Sequence, residues 1–325
     1  MRLRASADVI LFDQDSLTSG EPSNLYATRE FLELVAEFFF PARRCRVADY
    51  LVDGEVFRLL CVDGRPLTTA PFVDMHEPLA GVPRDESRAR LLRRLPKVSH
   101  GIVPIDDFRR NPDWREFYGG PTVVWRDFAR WTDYLALLKR RRVLSDDQRR
   151  RRRLEESLGG LQYTANDLAE DVLPTCIAWK SARDRELHRV VLFARGGHQE
   201  FFRALRARGL MRASTLRGDG QLLAMWFGWV YKERWSGWVT AYNPDPALRK
   251  HSLGRQLIYP MLEESYRAGH REFDFSIGME PYKLFFATHA RPIANRGRPL
   301  LQDRLRKIAR NMLRGFTNGS LPEIV

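Results

Sequence analysis

One segment, residues 240–288, constrains the fold of this chain more than any other because strand and helix signals follow one another within it. A strand pattern ends at 242–244, and a helix pattern begins near 252–254 and stops at Gly269. A short apolar strand at 273–275 comes next, and Pro281 suits the first turn of a second helix. The segment therefore predicts a strand–loop–helix–strand–helix unit.

Composition narrows the classes of protein that fit. A hydrophobic content of 44% supports a sizeable core, and the net charge of +13 favours phosphate-bearing or other anionic partners. The three cysteines are far apart, which argues against a disulfide framework or a thiolate zinc site. Acidic residues interrupt the N-terminus before any long apolar run, and no apolar stretch reaches the roughly 18 residues of a spanning helix. We expect a soluble, cytoplasmic protein.

Helix and hairpin signals are mixed along the chain. Thr28 is a candidate cap for an amphipathic helix, and Asp-Gly turns at 53–54, 63–64 and 219–220 separate apolar runs. Hairpin turns make antiparallel neighbours, whereas helices between strands make crossovers. The sequence predicts an α/β protein of the α+β type with a mixed sheet. The predicted strand at 221–231 is rich in aromatic residues, and we interpret these as part of the core of the sheet.

A long helical stretch at 131–160 carries a very basic segment. Between Lys139 and Arg153 there are nine positive charges against two negative ones. Such a run is compatible with a nucleic-acid or phosphate-binding face. It is equally compatible with a solvated helix that bridges two lobes, and the lack of interleaved aromatic residues favours this second interpretation.

The helix start at 252–254 has the features of an anion site. The first backbone N–H groups of a helix lack partners within the helix, and the dipole there favours negative charge. Gly254 would let a phosphate approach the backbone closely. The cations Arg249, Lys250 and Arg255 lie nearby in the sequence. A capped surface helix explains the same residues, so the local pattern leaves both interpretations open.

The wider segment resembles the GNAT acyltransferase superfamily. The resemblance is closest to the two-lobed CelD-like branch, which is associated with cellulose and exopolysaccharide biosynthesis. It is carried by Tyr242, the tripeptide Ser252-Leu253-Gly254, Gly269, and the segment FDFSIGMEPYK at 273–283. It covers roughly 210–293 well and is looser in the helical stretch after 131. Leu253 stands where that branch usually has proline.

The resemblance implies two GNAT-like lobes joined by a long basic helix: an N-terminal lobe at 1–130, a connector at 131–160 and an acyltransferase domain at 161–297. A basic amphipathic helix and tail follow at 298–325. They are expected to pack on the acyltransferase domain, with contact between 299–314 and an anionic membrane surface as the alternative.

The resemblance also implies direct transfer of an acetyl or other acyl group from coenzyme A to an amine. The acyl-coenzyme A would be held by Tyr242, Arg249, Lys250, Ser252, Leu253, Gly254 and Arg255. A kinked strand near 240–242 would offer a backbone N–H to the thioester carbonyl. Tyr282 would protonate the departing thiolate, and Asp274 or Glu280 would accept the amine proton, with Lys283 paired to either acid.

Two alternatives remain open from the sequence. A Fem-like transferase would take an aminoacyl group from tRNA, with the arginines at 149–153 gripping the RNA. A non-catalytic protein would bind nucleic acid or a membrane surface on a transferase scaffold. The seven histidines show no metal-binding spacing, so a metal site is not expected.

Overall fold

The computed structural model describes residues 21–52, 55–67, 71–80, 94–99, 101–110, 118–142, 144–194 and 196–297. Its helices are α1 (Arg29–Phe39), α2 (Ile105–Arg110), α3 (Trp131–Arg140), α4 (Leu144–Leu158), α5 (Val172–Glu186), α6 (His198–Ala207), α7 (Leu253–Arg267) and α8 (Pro281–Phe286). Its strands are β1 (Cys45–Val52), β2 (Glu55–Val62), β3 (Arg65–Pro66), β4 (Arg94–Ser99), β5 (Val103–Pro104), β6 (Tyr118–Val124), β7 (Gln162–Thr164), β8 (Arg212–Gly218), β9 (Gln221–Tyr231), β10 (Arg234–Tyr242), β11 (Glu272–Asp274) and β12 (His289–Gly297). The predicted tail helix and the turn at 53–54 lie outside the described residues.

The predicted mixed α/β architecture is confirmed. Strands β1, β2 and β3 form a small antiparallel sheet. Nine described strands form a second sheet in the order β4-β12-β6-β11-β10-β9-β8-β7, with β5 paired to β12. Within this large sheet β10 and β11 are parallel, and the other paired strands are antiparallel.

The two parts of the chain share this large sheet. Strand β6, which belongs to the predicted N-terminal lobe, lies between β11 and β12 of the C-terminal part. The hairpin predicted at 219–220 joins β8 and β9, and both turn residues have positive φ, at 49° and 71°. Such a turn matches the twist of the strands that it connects.

Side chains of β9 alternate between the two faces of the large sheet. Met225, Phe227 and Trp229 pack in a core with α1 and α6, whereas Trp226 packs in a second core with α7. All four are at least 97% buried. The prediction that the aromatic run is sheet core is confirmed, because alternate residues of a strand face opposite layers.

The basic connector consists of two helices rather than one long helix. Helix α3 ends at Arg140, and the chain turns at Arg142, which has a φ of +58°. The hydroxyl of Tyr134 on α3 donates to the carbonyl of Phe286 at 2.9 Å, and Arg141 donates to the carbonyl of Ala287 at 2.7 Å. The connector thereby fixes the end of α8.

No helix in the described part of the chain combines the length and the apolar character that a bilayer-spanning segment requires.

Candidate active site

A cleft opens where two parallel strands part. Residues 234–236 of β10 pair with 272–274 of β11, and beyond this point β10 continues without β11 to Tyr242. The chain after β11 follows β6 instead, since the N–H groups of Phe275 and Gly278 donate to the carbonyls of Pro121 and Gly119, each at 2.9 Å. These hydrogen bonds to β6 hold the chain after β11 away from β10, and a gap opens between the two.

A first cavity of about 450 Å³ lies between the end of β10 and the start of α7. Six of the seven residues predicted to hold an acyl-coenzyme A line it: Tyr242, Arg249, Ser252, Leu253, Gly254 and Arg255. Lys250 is exposed and is not among the lining residues. The structure therefore brings together six of the residues for which the resemblance implied a common ligand.

Helix α7 begins at a strained residue. Ser252 has a φ of +56° in the left-handed region, and its carbonyl accepts from the N–H of Arg255 at 2.8 Å. Leu253, which stands where the CelD-like branch usually has proline, is 97% buried in the core that includes α7. A Cβ on Gly254 would meet only the ring of Tyr242, at 3.9 Å. The helix start is thus open towards the cavity.

The connector helix α4 docks on this helix start. Asp147 is fully buried and accepts from the guanidinium of Arg255 at 2.5 Å and from the hydroxyl of Tyr259 at 2.7 Å. The guanidinium of Arg150 donates to the hydroxyl of Ser252, and the ring of His251 contacts the carbonyl of Arg150 at 3.2 Å. The basic run is therefore a solvated face on one side and a support for the cavity on the other.

A second cavity of about 580 Å³ adjoins the first. It lies among Phe72 and Asp74 of the N-terminal part, the end of α5, the end of β10 and the segment 276–283. The residues that line both cavities are Arg183, Thr240, Tyr242, Asn243, Arg249 and Tyr282. Two spaces therefore meet at the tip of β10.

Tyr282 lies at this junction. Burial, followed by the negative charge of Glu280, raises the pKa of the phenol above its usual range. The phenol therefore holds its proton at neutral pH, at the place where the two cavities meet.

Glu280 and Lys283 line the second cavity as a pair. Lys283 is 94% buried, and its ammonium lies 3.0 Å from the Glu280 carboxylate and donates to the carbonyl of Ile277 at 2.8 Å. Gly278 has a φ of +112°, and a Cβ there would meet the Glu280 carboxylate at 2.5 Å. Of the two acids proposed to pair with Lys283, the structure selects Glu280.

Asp274 lies outside both cavities. It is fully buried, accepts from Arg291 at 2.6 Å and from the N–H of Ser276 at 2.8 Å, and belongs to an ionic cluster. The other members of the cluster are Glu77, Arg234 and Glu272. Burial raises the pKa of Asp274 above its usual value. The alternation of β11 does point Asp274 away from its phenylalanine neighbours, but into this cluster and not into the cleft.

The irregularity in β10 comes earlier than the sequence suggested. The register with β9 shifts between Gly237 and Val239, which places the bulge at Trp238 and not at 240–242. A Cβ on Gly228 would meet the carbonyl oxygen of Ser236 at 2.0 Å, and a Cβ on Gly237 would meet the ring of Trp226 at 2.6 Å. These two glycines allow the strands to approach closely at the bulge.

Several lining residues were missed by the sequence reasoning. Arg183 of α5 lines both cavities, and Trp179, Lys180 and Asp74 line the second. No motif marks them, because they reach the cleft from elements far from it in the chain. The acidic pair at 146–147 within the arginine run is a signal that could have indicated the docking of α4, because a carboxylate there can pair with a cation of another element.

Among the described residues, no group of histidine, cysteine, aspartate and glutamate side chains is arranged to hold a metal ion.

Part of the chain is similar to a known protein family. Residues 139–284 match the family model described as an acetyltransferase (GNAT) domain. No curated protein sequence gives a match. The fold is similar to that of FemX, which is 11% identical with a TM-score of 0.50, over 85% of this chain and 92% of that one.

Two further solved structures align more loosely. A tandem GNAT protein from the clavulanic acid biosynthesis pathway is 10% identical with a TM-score of 0.40, over 86% of this chain and 90% of that one. L-PGS from Bacillus licheniformis is 12% identical with a TM-score of 0.40, over 90% and 98%. The matched segment holds α4, α7 and every residue that lines both cavities. Over residues 139–284 the chain is therefore similar to GNAT acetyltransferase domains.

Proposed function

We propose that the chain is an acyl-coenzyme A-dependent N-acyltransferase that moves an acyl group, in the first instance acetyl, directly to an amine. The acceptor is an amine on a small metabolite, a sugar or a lipid precursor, in keeping with the resemblance to the CelD-like branch. The proposal retains the division into an N-terminal lobe, a basic connector, an acyltransferase domain and a C-terminal tail.

The observation that carries this proposal is the meeting of two cavities at Tyr242 and Tyr282. Direct transfer needs a donor and an acceptor side by side, so that the reacting atoms approach without a covalent enzyme intermediate. The first cavity offers a helix start and three arginines, Arg183, Arg249 and Arg255, to phosphate groups. The second cavity then serves the acceptor.

The donor would supply an activated acyl group as a thioester. Ser252, Leu253 and Gly254 would present backbone N–H groups to its phosphates. Backbone near the bulge in β10 would donate to the thioester carbonyl, and Tyr282 would hold a proton for the sulfur. Glu280 and Lys283, which the structure pairs, would act through their charges on the acceptor side.

A thermal-shift titration with acetyl-coenzyme A tests the donor site. Ligand at about 100 times its Kd stabilises the folded state by about 2.7 kcal/mol. For a chain of this size we expect Tm to rise by about 5 °C. Arg249→Ala should abolish most of the shift, whereas Lys250→Ala, its exposed neighbour outside the first cavity, should keep it.

A second candidate is aminoacyl transfer from tRNA, and the arginines of α4 are the observation in its favour. Arg149, Arg152 and Arg153 are exposed on α4, whose other side supports the first cavity. Salt-sensitive binding of tRNA, together with no Tm shift for acetyl-, butyryl- or palmitoyl-coenzyme A, would replace the first proposal with this one. Binding of nucleic acid or anionic vesicles with no transfer of either kind would identify a non-catalytic protein.

A further inference from the structure

The second cavity has an excess of basic residues. Of the described residues that line it, five are basic and three are acidic. The basic residues are Lys180, Arg183, Arg189, Arg249 and Lys283. A cleft in which one sign of charge prevails attracts ligands of the opposite sign. The cavity therefore favours a ligand with a negatively charged group.

The phosphates of a donor do not account for all of this charge. Arg183 and Arg249 line both cavities, so either ligand can contact them. Lys180 and Arg189 are among the lining residues of the second cavity and not of the first. These two basic residues therefore belong to the acceptor side.

The two lysines of the second cavity are each held by a carboxylate. The ammonium of Lys180 lies 2.6 Å from the carboxylate of Asp184, one turn further along α5. The ammonium of Lys283 lies 3.0 Å from the carboxylate of Glu280. Each lysine charge is thus largely balanced by a neighbouring carboxylate.

The arginines of the cavity are balanced less completely. Glu186 serves two of them, because its carboxylate lies 2.7 Å from the guanidinium of Arg183 and 3.8 Å from that of Arg249. One carboxylate cannot neutralise two guanidinium groups, which stay protonated at any ordinary pH. Arg189 adds a further positive charge to the same cavity.

The segment that carries Arg189 is fixed to the end of α5. Asp184 is 98% buried, and its carboxylate accepts from the N–H of Leu192 at 3.1 Å. The carbonyl of Asp184 accepts from the N–H of Arg189 at 2.8 Å. His188, between them in the chain, has a φ of +52° and turns the backbone after α5. The backbone at Arg189 therefore has a defined position, which lowers the entropy cost of binding a ligand there.

Aromatic side chains form other walls of the cavity. Phe72, Trp179 and Trp238 line it, and the rings of Phe72 and Trp238 stand edge to face with centroids 5.2 Å apart. Flat apolar walls near basic residues suit a ligand with a ring or another apolar body and one anionic group.

We propose that the acceptor is an amine that also carries a carboxylate or phosphate group, and that Arg189 binds this oxyanion. The inference rests on the proposed N-acyltransferase function. A guanidinium presents its N–H donors in a planar fork that fits two oxygens of either group. The positive charge that Arg183 and Arg249 share with one carboxylate adds to the attraction. The amine of the bound acceptor then lies towards the junction with the first cavity.

The test uses pairs of amines that differ by one anionic group. The pairs are tyrosine and tyramine, glucosamine 6-phosphate and glucosamine, and phosphoethanolamine and ethanolamine. Release of free thiol from acetyl-coenzyme A gives kcat/KM for each amine, and the ratio within a pair measures recognition of the oxyanion. A hydrogen bond to a charged group contributes a factor of about 10 or more. We expect the wild type to prefer the anionic member about 10-fold, in the tyrosine pair if the group is a carboxylate and in the other two pairs if it is a phosphate.

Arg189→Ala should lower that ratio about 10-fold. Arg185→Ala is the matched control, since Arg185 is an exposed arginine of α5 that is not among the lining residues of either cavity. Its ratio should stay within about twofold of the wild-type value, because solvent and salt screen an exposed charge. The paired amines differ in intrinsic reactivity, but that difference is the same for every variant and cancels.

Two further measurements separate recognition of the anion from a general loss of structure. In Arg189→Ala the kcat/KM for the amine without the anion and the acetyl-coenzyme A thermal shift should both match the wild type. Arg189→Lys keeps the charge and loses the planar fork, so its ratio should lie between those of the wild type and Arg189→Ala. The lysine variant also serves as the test if the alanine variant unfolds.

The outcomes are distinct. A ratio that both Arg189 variants leave at the wild-type value overturns the role of Arg189 and leaves the acyltransferase proposal standing. A wild type that uses the plain amines as well as their anionic partners overturns the oxyanion site. Thiol release that none of the amines accelerates, in a wild type that acetyl-coenzyme A does stabilise, also counts against that site. A wild type that acetyl-coenzyme A does not stabilise contradicts the proposed function itself.

Discussion

The buried carboxylate of Asp147 lies 2.5 Å from the guanidinium of Arg255, and this contact joins the connector to the start of α7. The two residues are 108 positions apart in the chain. Asp147 also accepts from Tyr259, which is one turn further along α7. The geometry of the first cavity therefore depends on α4. The composition of this helix had been interpreted only as a solvated surface.

Replacing Asp147 should weaken both the fold and the donor site. Asp147→Asn leaves the guanidinium of Arg255 without its buried partner, and breaking such a pair costs about 3 kcal/mol. We expect urea denaturation to show a loss of that size, and the affinity for acetyl-coenzyme A to fall because Arg255 lines the first cavity. Asp146→Asn is the matched control, since Asp146 and its partner Arg149 are both exposed and such pairs contribute less than about 1 kcal/mol. Equal losses in the two variants would contradict this account.

Tyr282→Phe should slow transfer and spare donor binding. Removal of a proton donor from a transfer step costs about 100-fold in rate. The phenylalanine ring keeps the packing at the junction of the cavities, so the acetyl-coenzyme A thermal shift should persist. Tyr266→Phe provides the comparison, because the hydroxyl of Tyr266 donates to the carbonyl of Ala129 at 2.8 Å, and Tyr266 is not among the residues that line either cavity. Unchanged turnover in Tyr282→Phe would remove the acid role.

The sequence predicted the unit at 240–288 well because local signals define it. A helix start, a glycine stop and a short apolar strand are each encoded within a few residues. The residues expected to hold the cofactor came from the resemblance of this unit to the GNAT superfamily. Six of the seven line one cavity. The exception, Lys250, is exposed on a short 3-10 helix at Pro246–His251, which the sequence reasoning did not predict.

Contacts between distant segments were beyond such reasoning. Alternation in β11 showed that Asp274 faces away from its phenylalanine neighbours. It did not show what lies on that face of the sheet, because Arg291 and Glu77 belong to segments distant in the chain. The same holds for Asp74, which reaches the second cavity from a segment about 200 residues before Ser276. The connector predicted as one long helix is two helices, because the chain turns at Arg142 with a positive φ. No residue type that favours positive φ, such as glycine or asparagine, marks this turn in the sequence.

Stability should depend on pH through Glu77. Burial by itself would raise the pKa of Glu77, but the charges of Arg234 and Arg291 outweigh it and lower that pKa from 4.5 to about 2. A carboxyl group whose pKa is lower in the folded state stabilises the fold above its unfolded value. That contribution is lost as pH falls from about 4.5 towards 2, and by linkage it amounts to about 3 kcal/mol.

Glu77→Gln should therefore lower the free energy of unfolding at pH 7 and flatten its dependence on pH in that window. The measurement is urea denaturation at a series of pH values, read as the difference between wild type and variant so that other titrating groups cancel. Glu263→Gln is the control, because Glu263 pairs with the exposed Arg267 on the surface of α7. A difference that is constant between pH 7 and pH 2 would show that Glu77 does not titrate as the cluster requires.

Gly228→Ala should disrupt the bulge beside the cleft. Gly228 lies in β9 opposite the register shift, and a Cβ there would meet the carbonyl oxygen of Ser236 at 2.0 Å. Backbone cannot move aside as the end of a side chain can, so the strands must separate at the point where β10 bends. We expect a loss of more than about 3 kcal/mol, in the range of severe overpacking. Gly196→Ala, with nothing within 4 Å of the added atom, should change stability by less than about 1 kcal/mol. A Gly228→Ala variant with wild-type stability and acetyl-coenzyme A binding would mean that the close approach of β9 and β10 is not needed to shape the cleft.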